Sequence, residues 1–293
     1  MKSKTLAIIL FAIFLLLPSA RAASSSVPGN AFFAMDTALS DGKNRGAAEQ
    51  AALLKELGYD GIGASGYVSD DFLAAFDQKA LKVCNTYLTL SFDSAKPGLD
   101  PKLKEFVARL KGRSTDLWIA IGGISLDGVK LKVSATEGDD IAVRNLRELA
   151  DLAQVSGVKI ALYPHTWFWI ERVDDALRVA KKVDRANLGA TFNLCHWLKV
   201  EGDRDPKPVI KEALPHLFFV SINGADRGDT KAMEWDRLIQ PLDHGSYDVA
   251  AFLRLLKELG YAGPIGFQGY GIKGDSKTIL QQTMDGWEKA HLE

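Results

Sequence analysis

From Asn30 onwards the chain alternates short apolar runs with amphipathic helical patterns. This alternation is typical of βα units around a parallel sheet, because parallel neighbours must be joined by a crossover, most often a helix. Eight runs have the composition of buried strands: residues 31–36, 61–65, 82–92, 116–123, 158–165, 188–196, 217–224 and 263–271. Eight strands with intervening helices in about 270 residues predict an α/β fold of the (β/α)8 TIM barrel type.

An internal echo supports one domain rather than two. The sequence "LLKELGYDGI" at 53–62 recurs as "LLKELGYAGP" at 255–264, so the same helix-to-strand connection is used near both ends of the chain. No Pro/Gly/Ser-rich linker or low-complexity segment interrupts the pattern. We therefore predict a single barrel domain spanning residues 23–293.

The N-terminal sequence "MKSKTLAIILFAIFLLLPSARA" predicts a signal peptide over residues 1–22. Basic residues precede an apolar core that is shorter than the ~20 residues of a spanning helix, and small residues follow it. We expect cleavage near Ala23, a periplasmic or secreted protein, and no membrane attachment afterwards. Residues 1–22 carry three basic and no acidic side chains, so their removal shifts the net charge from −1 to −4. A mildly acidic surface does not suit nucleic acid, and the sequence leaves the oligomeric state open.

Chemistry in such barrels lies at the C-terminal ends of the strands. We expect catalytic roles for His196, His165, Asp36 and Asp226, with a structural or surface role as the alternative for each. Polar and aromatic residues at or just beyond strand ends are expected to bind substrate: Tyr163, Asn193, Asn223, Arg227, Gln268, Trp167 and Trp169. The two Trp residues offer flat faces for a sugar ring, although buried aromatics more commonly form core.

The two cysteines, Cys84 and Cys195, lie in separate strand-like runs, so we expect two buried free thiols. Side chains alternate along a strand, so Cys195 is expected to point away from His196 and into the layer between barrel and helices. A Cys-His nucleophile pair is therefore not expected. The charged stretch "KAMEWDR" at 231–237 is interpreted as a solvated helix face.

The segment "QPLDHGSYDVAAFLRLLKELGYAGPIGFQGYG" at 240–271 resembles the closing part of the xylose isomerase-like TIM barrels. This superfamily contains sugar and sugar-phosphate isomerases and epimerases, together with apurinic endonucleases. The resemblance implies a divalent cation held by a Glu ending the fifth strand, an Asp in "D-x-x-H" on the sixth, a His on the seventh and a Glu on the eighth. These positions fall here on Tyr163, Asn193, Ser221 and Gln268, while His196 matches the His of "D-x-x-H".

All four expected ligands are therefore neutral, and amide or hydroxyl groups do not neutralise a hard divalent cation. We expect no metal and no other cofactor, and a pocket remade for a neutral ligand. A transition-metal site rebuilt around His165 and His196 is the alternative.

The resemblance implies an exported enzyme of the sugar isomerase and epimerase type, acting next to a carbonyl or hemiacetal of a small carbohydrate. A lyase or hydratase on an oxidised glycoside is an alternative, because it also removes a proton α to a carbonyl. A carbohydrate-binding protein without catalytic activity, on the same scaffold, is the third reading.

Overall fold

The structure is a computed structural model that describes residues 29–292. Its central sheet contains β1 (Phe32–Met35), β2 (Gly61–Ser65), β3 (Lys82–Asp93), β4 (Asp116–Leu126), β5 (Val129–Lys130), β6 (Ile160–Leu162), β7 (Leu188–Asn193), β8 (Leu217–Ile222) and β9 (Ile265–Phe267). Around the barrel the order is β1-β2-β3-β4-β6-β7-β8-β9, and β9 pairs with β1 to close it. All eight of these strands are parallel, whereas β5 folds back antiparallel on β4. The predicted (β/α)8 TIM barrel is confirmed.

Helices cover the outside of the barrel. They are α1 (Ala47–Glu56), α2 (Asp70–Asp77), α3 (Pro101–Arg109), α4 (Asp139–Ser156), α5 (Val173–Val183), α6 (Leu194–Glu201), α7 (Lys207–Ala213), α8 (Trp235–Leu238), α9 (Val249–Glu258) and α10 (Ser276–Leu292). Helix α5 shows why these segments are helical: Val173, Ala176, Leu177, Ala180 and Val183 recur at three- and four-residue spacing and are all buried. Across residues 29–292 no helix is both long and apolar enough to cross a membrane. The predicted signal peptide lies outside the described residues.

Two predicted strands end earlier than expected, and each has a local cause. The strand predicted to reach His196 ends at Asn193, because the Asn193 side chain accepts the backbone N–H of His196 and so caps α6. The strand predicted to reach His165 ends at Leu162, two residues before Pro164, which has no backbone N–H to donate to a sheet. In contrast, β3 and β4 run past the predicted ends and pair with each other as far as Asp93 and Ser125.

The barrel interior is filled with apolar and aromatic side chains, most of them large, contributed by several strands: Phe33, Met35, Trp118, Ala120, Ala161, Tyr163 and Phe219. Glycines on neighbouring strands make room for them. A Cβ on Gly63 would lie 2.5 Å from Met35 Sδ, and one on Gly266 would lie 2.7 Å from Phe33 Cζ. The lower barrel is therefore a packed core, and a cavity opens towards the C-terminal ends of the strands.

Candidate active site

A cavity of about 460 Å³ opens at the C-terminal end of the barrel, within the range of small-molecule sites. We call it the central cavity. Its lining comes from nearly every strand end: Met35, Asp36, Thr37, Gly63, Ala64, Ser65, Tyr87, Trp118, Tyr163, His165, Trp167, Cys195, His196, Trp235, Ile239, Gln268 and Tyr270. Six of the sequence-predicted residues are therefore brought together here: Asp36, Tyr163, His165, Trp167, His196 and Gln268.

A tight turn after β6 positions His165. Its backbone N–H donates to the carbonyl of Ile170, and its own carbonyl accepts from Phe168 N–H, both at 3.0 Å. The ring stacks on Phe168 with centroids 4.1 Å apart. Nδ1 lies 2.9 Å from the Thr166 carbonyl oxygen, which can only accept, so Nδ1 carries the proton and Nε2 keeps a lone pair. Burial lowers the pKa of His165 despite this hydrogen bond. The imidazole is therefore neutral and able to accept a proton.

His196 is fixed at both ring nitrogens. The Thr166 hydroxyl lies 2.9 Å from Nδ1, and the Thr166 backbone N–H points at the same nitrogen from 3.4 Å. A backbone N–H can only donate, so Nδ1 is the acceptor and Nε2 carries the proton. Nε2–H then donates to the Tyr163 oxygen at 2.8 Å. Burial lowers the pKa of His196 well below its ordinary value, with the nearby His165 as a smaller cause.

Asn193 is oriented by the start of α6. Its Oδ1 accepts the backbone N–H of His196 at 3.2 Å and the Cys195 thiol at 2.9 Å. Its amino group is thereby directed towards the barrel axis, where it donates to Ser221 Oγ and to the Tyr163 oxygen, the latter at 3.3 Å. Asn193 therefore lies behind the cavity wall and acts on the site through Tyr163.

These hydrogen bonds converge on Tyr163, whose oxygen accepts from His196 and Asn193. Gln268 adds a further hydrogen bond to Tyr163. Gln268 Oε1 already accepts from Thr37 Oγ1 and Tyr270 N–H, so its amino group is the part left to face Tyr163. Burial raises the pKa of Tyr163 well above its ordinary value. The phenol is neutral, and with its lone pairs occupied, its proton is available to an oxygen atom of a ligand in the cavity.

Asp36 stands on the opposite wall, because β1 and β6 are four strands apart in either direction around the barrel. The Ser65 backbone N–H and hydroxyl donate to its two carboxylate oxygens at 2.6 and 2.9 Å. Burial raises the pKa of Asp36, and the hydrogen bonds from Ser65 oppose that effect. The carboxyl group therefore holds a proton more readily than an exposed aspartate does.

Besides Asn193, four sequence-predicted residues do not line the central cavity. Trp169 is 1% exposed and donates from Nε1 to the Ala135 carbonyl, so it belongs to the core. The prediction that Asn223 converges with the other strand-end residues is wrong, because its amino group is turned to the carbonyls of Gly224 and Leu238. Asp226 pairs with Arg237 at 2.9 Å, outside the cavity lining. Arg227 lines a separate cleft between α6 and α9.

Two further expectations need correction. Cys195 does not point into the layer between barrel and helices but lines the central cavity, because the chain has already turned into α6 at Leu194. Both cysteines are free, and burial raises the pKa of the Cys195 thiol to about 12, so it is not a thiolate nucleophile at neutral pH. The stretch 231–237 is not simply a solvated helix face, since Trp235 within it lines the cavity.

Sequence reasoning missed Tyr87, Trp118, Trp235 and Tyr270. Tyr87 and Trp118 lie within strands, where alternation places them inward but does not separate a cavity wall from a packed core. Tyr270 had a usable signal, because it follows Gln268 by two residues at a strand end. Trp235 carried no such signal in the sequence, since it lies on the short helix α8, well after the end of β8.

The side chains present do not fit the divalent cation that the superfamily implies. The amino groups of Asn193 and Gln268 face the Tyr163 oxygen as donors, and an N–H donor is no ligand for a cation. Both nitrogens of His196 are engaged, which leaves His165 alone with a free imidazole lone pair. Within residues 29–292 no group of three or more His, Cys, Asp or Glu side chains could hold a metal ion.

The family model of the xylose isomerase-like TIM barrel matches residues 51–290. The chain belongs to this family. A curated relative is the 3-dehydroshikimate dehydratase of Pseudomonas aeruginosa, 28% identical over 156 residues, which are 53% of this chain but only 23% of that enzyme. The chain thus spans about a quarter of the length of that relative.

Solved structures confirm the fold at low sequence identity. The 3-keto-D-glucoside 4-epimerase of E. coli superposes with a TM-score of 0.66 at 15% identity, covering 89% of this chain and 99% of that one. The IOLI protein with a bound zinc atom superposes with a TM-score of 0.67 at 19% identity, covering 89% and 97%. A protein with this fold has therefore been solved with a bound zinc atom.

Proposed function

We propose that this protein binds an uncharged, hydroxylated ring ketone, an oxidised sugar, in the central cavity and transfers a proton at the carbon next to the carbonyl. Neutral hydrogen-bonding side chains would then carry out the reaction in place of a metal ion. The proposal rests on one observation above the others: in the described chain, no lysine or arginine lines the central cavity.

The absence of Lys and Arg among the described lining residues supports an uncharged ligand. Carboxylate and phosphate groups are normally met by Arg or Lys, because removing an anion from water is costly without a charged partner. Among the described lining residues the one acidic side chain is Asp36, which offers an anion no compensating positive charge. A neutral keto sugar therefore suits the site better than a sugar phosphate, and better than dehydroshikimate, the carboxylate that the relative in Pseudomonas aeruginosa is named for.

The chemistry follows from the directions of the hydrogen bonds. The Tyr163 proton meets the ketone oxygen and stabilises the negative charge that develops when the neighbouring carbon loses its proton. His165 Nε2 takes that proton, since it carries the free lone pair and the imidazole is neutral. Asp36 returns a proton from the opposite wall, which inverts the carbon and epimerises the sugar.

Elimination is the second candidate, because loss of a group from the next carbon can follow the same first step. It is favoured by the sequence match to a dehydratase. Export is part of the same proposal and rests on the N-terminal sequence alone.

The test is a substrate panel followed by NMR. Methyl 3-keto-β-D-glucoside, 3-dehydroshikimate and a ketose phosphate are incubated with the protein, and products are assigned as epimer or unsaturated ketone. We expect turnover of the neutral ketone and none of the two anions. Turnover of either anion at a comparable kcat/KM would overturn the argument that the ligand is uncharged. An unsaturated product would show that the reaction is an elimination rather than an epimerisation.

Two aspartates that follow strands provide matched variants. Asp36→Asn removes the carboxyl group on the cavity wall, whereas Asp226→Asn removes one that pairs with Arg237 outside it. Loss of activity in the Asp36 variant, with retention in the Asp226 variant, is the expected result. Loss of activity in the Asp226 variant alone would indicate that the reaction takes place at the loop after β8.

A further inference from the structure

The mouth of the central cavity carries exposed aromatic side chains. In the part of the chain that the structure describes, five large hydrophobic residues are exposed: Val129, Val133, Val155, Trp167 and Tyr270. Both aromatic members of this set line the central cavity, with 66% of Trp167 and 64% of Tyr270 accessible to solvent. Packing within the fold does not explain them, because most of each side chain touches nothing in the protein.

Trp167 is held in a conformation that bulky residues avoid. Its φ is 70°, in the left-handed region, where a non-glycine residue costs about 1–3 kcal/mol. The Glu171 carboxylate accepts its backbone N–H at 2.8 Å and secures the turn. The preceding residue, Thr166, is bound to His196. The strained turn therefore presents an indole ring to solvent beside the proposed reaction centre.

Aromatic rings connect the mouth to the interior. Trp235 lies edge-on to Trp167 at 6.0 Å between centroids, and it also contacts the His196 ring at 5.4 Å. Tyr270 follows β9, three strands from β6, so it stands on another side of the opening. Its backbone N–H donates to Gln268 Oε1, which ties it to the group around Tyr163. Both exposed rings are thus anchored to residues that bind the Tyr163 oxygen.

We infer that Trp167 and Tyr270 form a second subsite, for a ring that is glycosidically linked to the reacting sugar. The substrate is then a glycoside rather than a free monosaccharide, with the oxidised ring inside the cavity and its partner ring at the mouth. Flat aromatic faces pack well against the C–H faces of sugars and against aryl groups. This inference rests on the proposed function and extends it to the ring that is linked to the reacting sugar.

Calorimetry with unreactive glycosides tests the subsite separately from the chemistry. The probes are methyl β-D-glucoside, cellobiose and 4-nitrophenyl β-D-glucoside, which share one ring and differ in what is attached. We expect at least one two-ring probe to bind wild type roughly two- to tenfold more tightly than the methyl glucoside, as stacking contacts predict. The preferred probe tells whether the second ring is a sugar or an aryl group.

Trp167→Gly and Val155→Ala are the variants. Glycine relieves the left-handed strain at position 167, so Tm should not fall, yet the affinity advantage of the two-ring probe over methyl glucoside should disappear. Val155→Ala changes an exposed residue on α4 and should alter neither. A lower Tm with the two-ring advantage retained would show that Trp167 is structural and overturn the subsite.

The two proposals fail in different ways. Methyl glucoside binding without any gain from a second ring would overturn the subsite alone. If none of the three probes binds, both the sugar site and the subsite that depends on it are wrong.

Discussion

Removal of one oxygen atom, in Tyr163→Phe, probes the whole hydrogen-bond network. The phenylalanine ring keeps the stacking on Trp118, where centroids are 3.9 Å apart, so packing changes little. Asn193 keeps Ser221 as an acceptor, but His196 Nε2–H loses its partner in a buried position. A buried donor without an acceptor costs about 1–3 kcal/mol, and for a domain of this size that lowers Tm by roughly 2–12 °C.

The same variant should lose far more activity than stability. If the Tyr163 proton stabilises the developing enolate oxygen, its removal lowers kcat by about 10²–10³, the effect of deleting one oxyanion donor. Stability is measured by urea unfolding monitored by circular dichroism, and kcat by NMR on the keto glucoside. Tyr87→Phe is the stability control, because its hydroxyl forms a solvent-exposed hydrogen bond with Thr89, whose loss should cost less than about 0.5 kcal/mol. A Tyr163→Phe protein with kcat within threefold of wild type would refute the proposed role.

Three more predictions follow from the charges. Asp116 is partly buried beside Lys159, and its pKa is raised to about 6 by desolvation. Its contribution to stability is therefore present below pH 3.8 and lost as the pH rises through 6. Asp116→Asn should raise the free energy of unfolding by about 1–3 kcal/mol at pH 8 and by nothing measurable at pH 3.5, as urea titrations at the two pH values will show. The pKa of His196 is lowered, so the stability that it confers is present above pH 6.5 and is lost as the pH falls below that value. When the free energy of unfolding is plotted against pH, His196→Gln should reduce the slope below pH 6.5 by up to about 1.4 kcal/mol per pH unit. Finally, the double variant Asn193→Asp/Gln268→Glu places carboxylates at two positions where the resemblance implies metal ligands, so calorimetry should show an affinity for Mn²⁺ that the wild type lacks. A tightly bound metal ion in the wild-type protein, found by elemental analysis, would contradict the proposal.

Barrel and strand order were accessible from the sequence because the hydrophobic pattern and the turn residues repeat along the whole chain. Boundaries at the site were harder to predict. The strand that ends at Asn193 was predicted to reach His196, since "GATFNLCH" has a strand-like composition and the capping bond that starts α6 depends on a side-chain direction. Because of that three-residue error, the side chain of Cys195 was predicted to point away from the cavity that it lines.

The site itself was predicted in part, and the division has a physical cause. Asp36, His165 and Gln268 each follow the C-terminal end of a barrel strand, so topology alone brings them to the same mouth. Trp235 approaches from a distant loop, and Asn223 turns to neighbouring carbonyls, so neither position follows from strand order. The direction of each hydrogen bond around Tyr163 required coordinates, because it depends on which backbone N–H groups face His196, Asn193 and Gln268.

Solvent hydrogen exchange tests the central claim most directly. Methyl 3-keto-β-D-glucoside is incubated in D2O with EDTA-treated wild type and with His165→Ala, and deuterium at the carbons next to the ketone is followed by NMR. We predict that chelated wild type incorporates deuterium well above the uncatalysed rate and that His165→Ala loses this activity. No incorporation by wild type, or incorporation that appears only after Mn²⁺ or Zn²⁺ is added back, would contradict a metal-independent proton transfer by His165 and Tyr163.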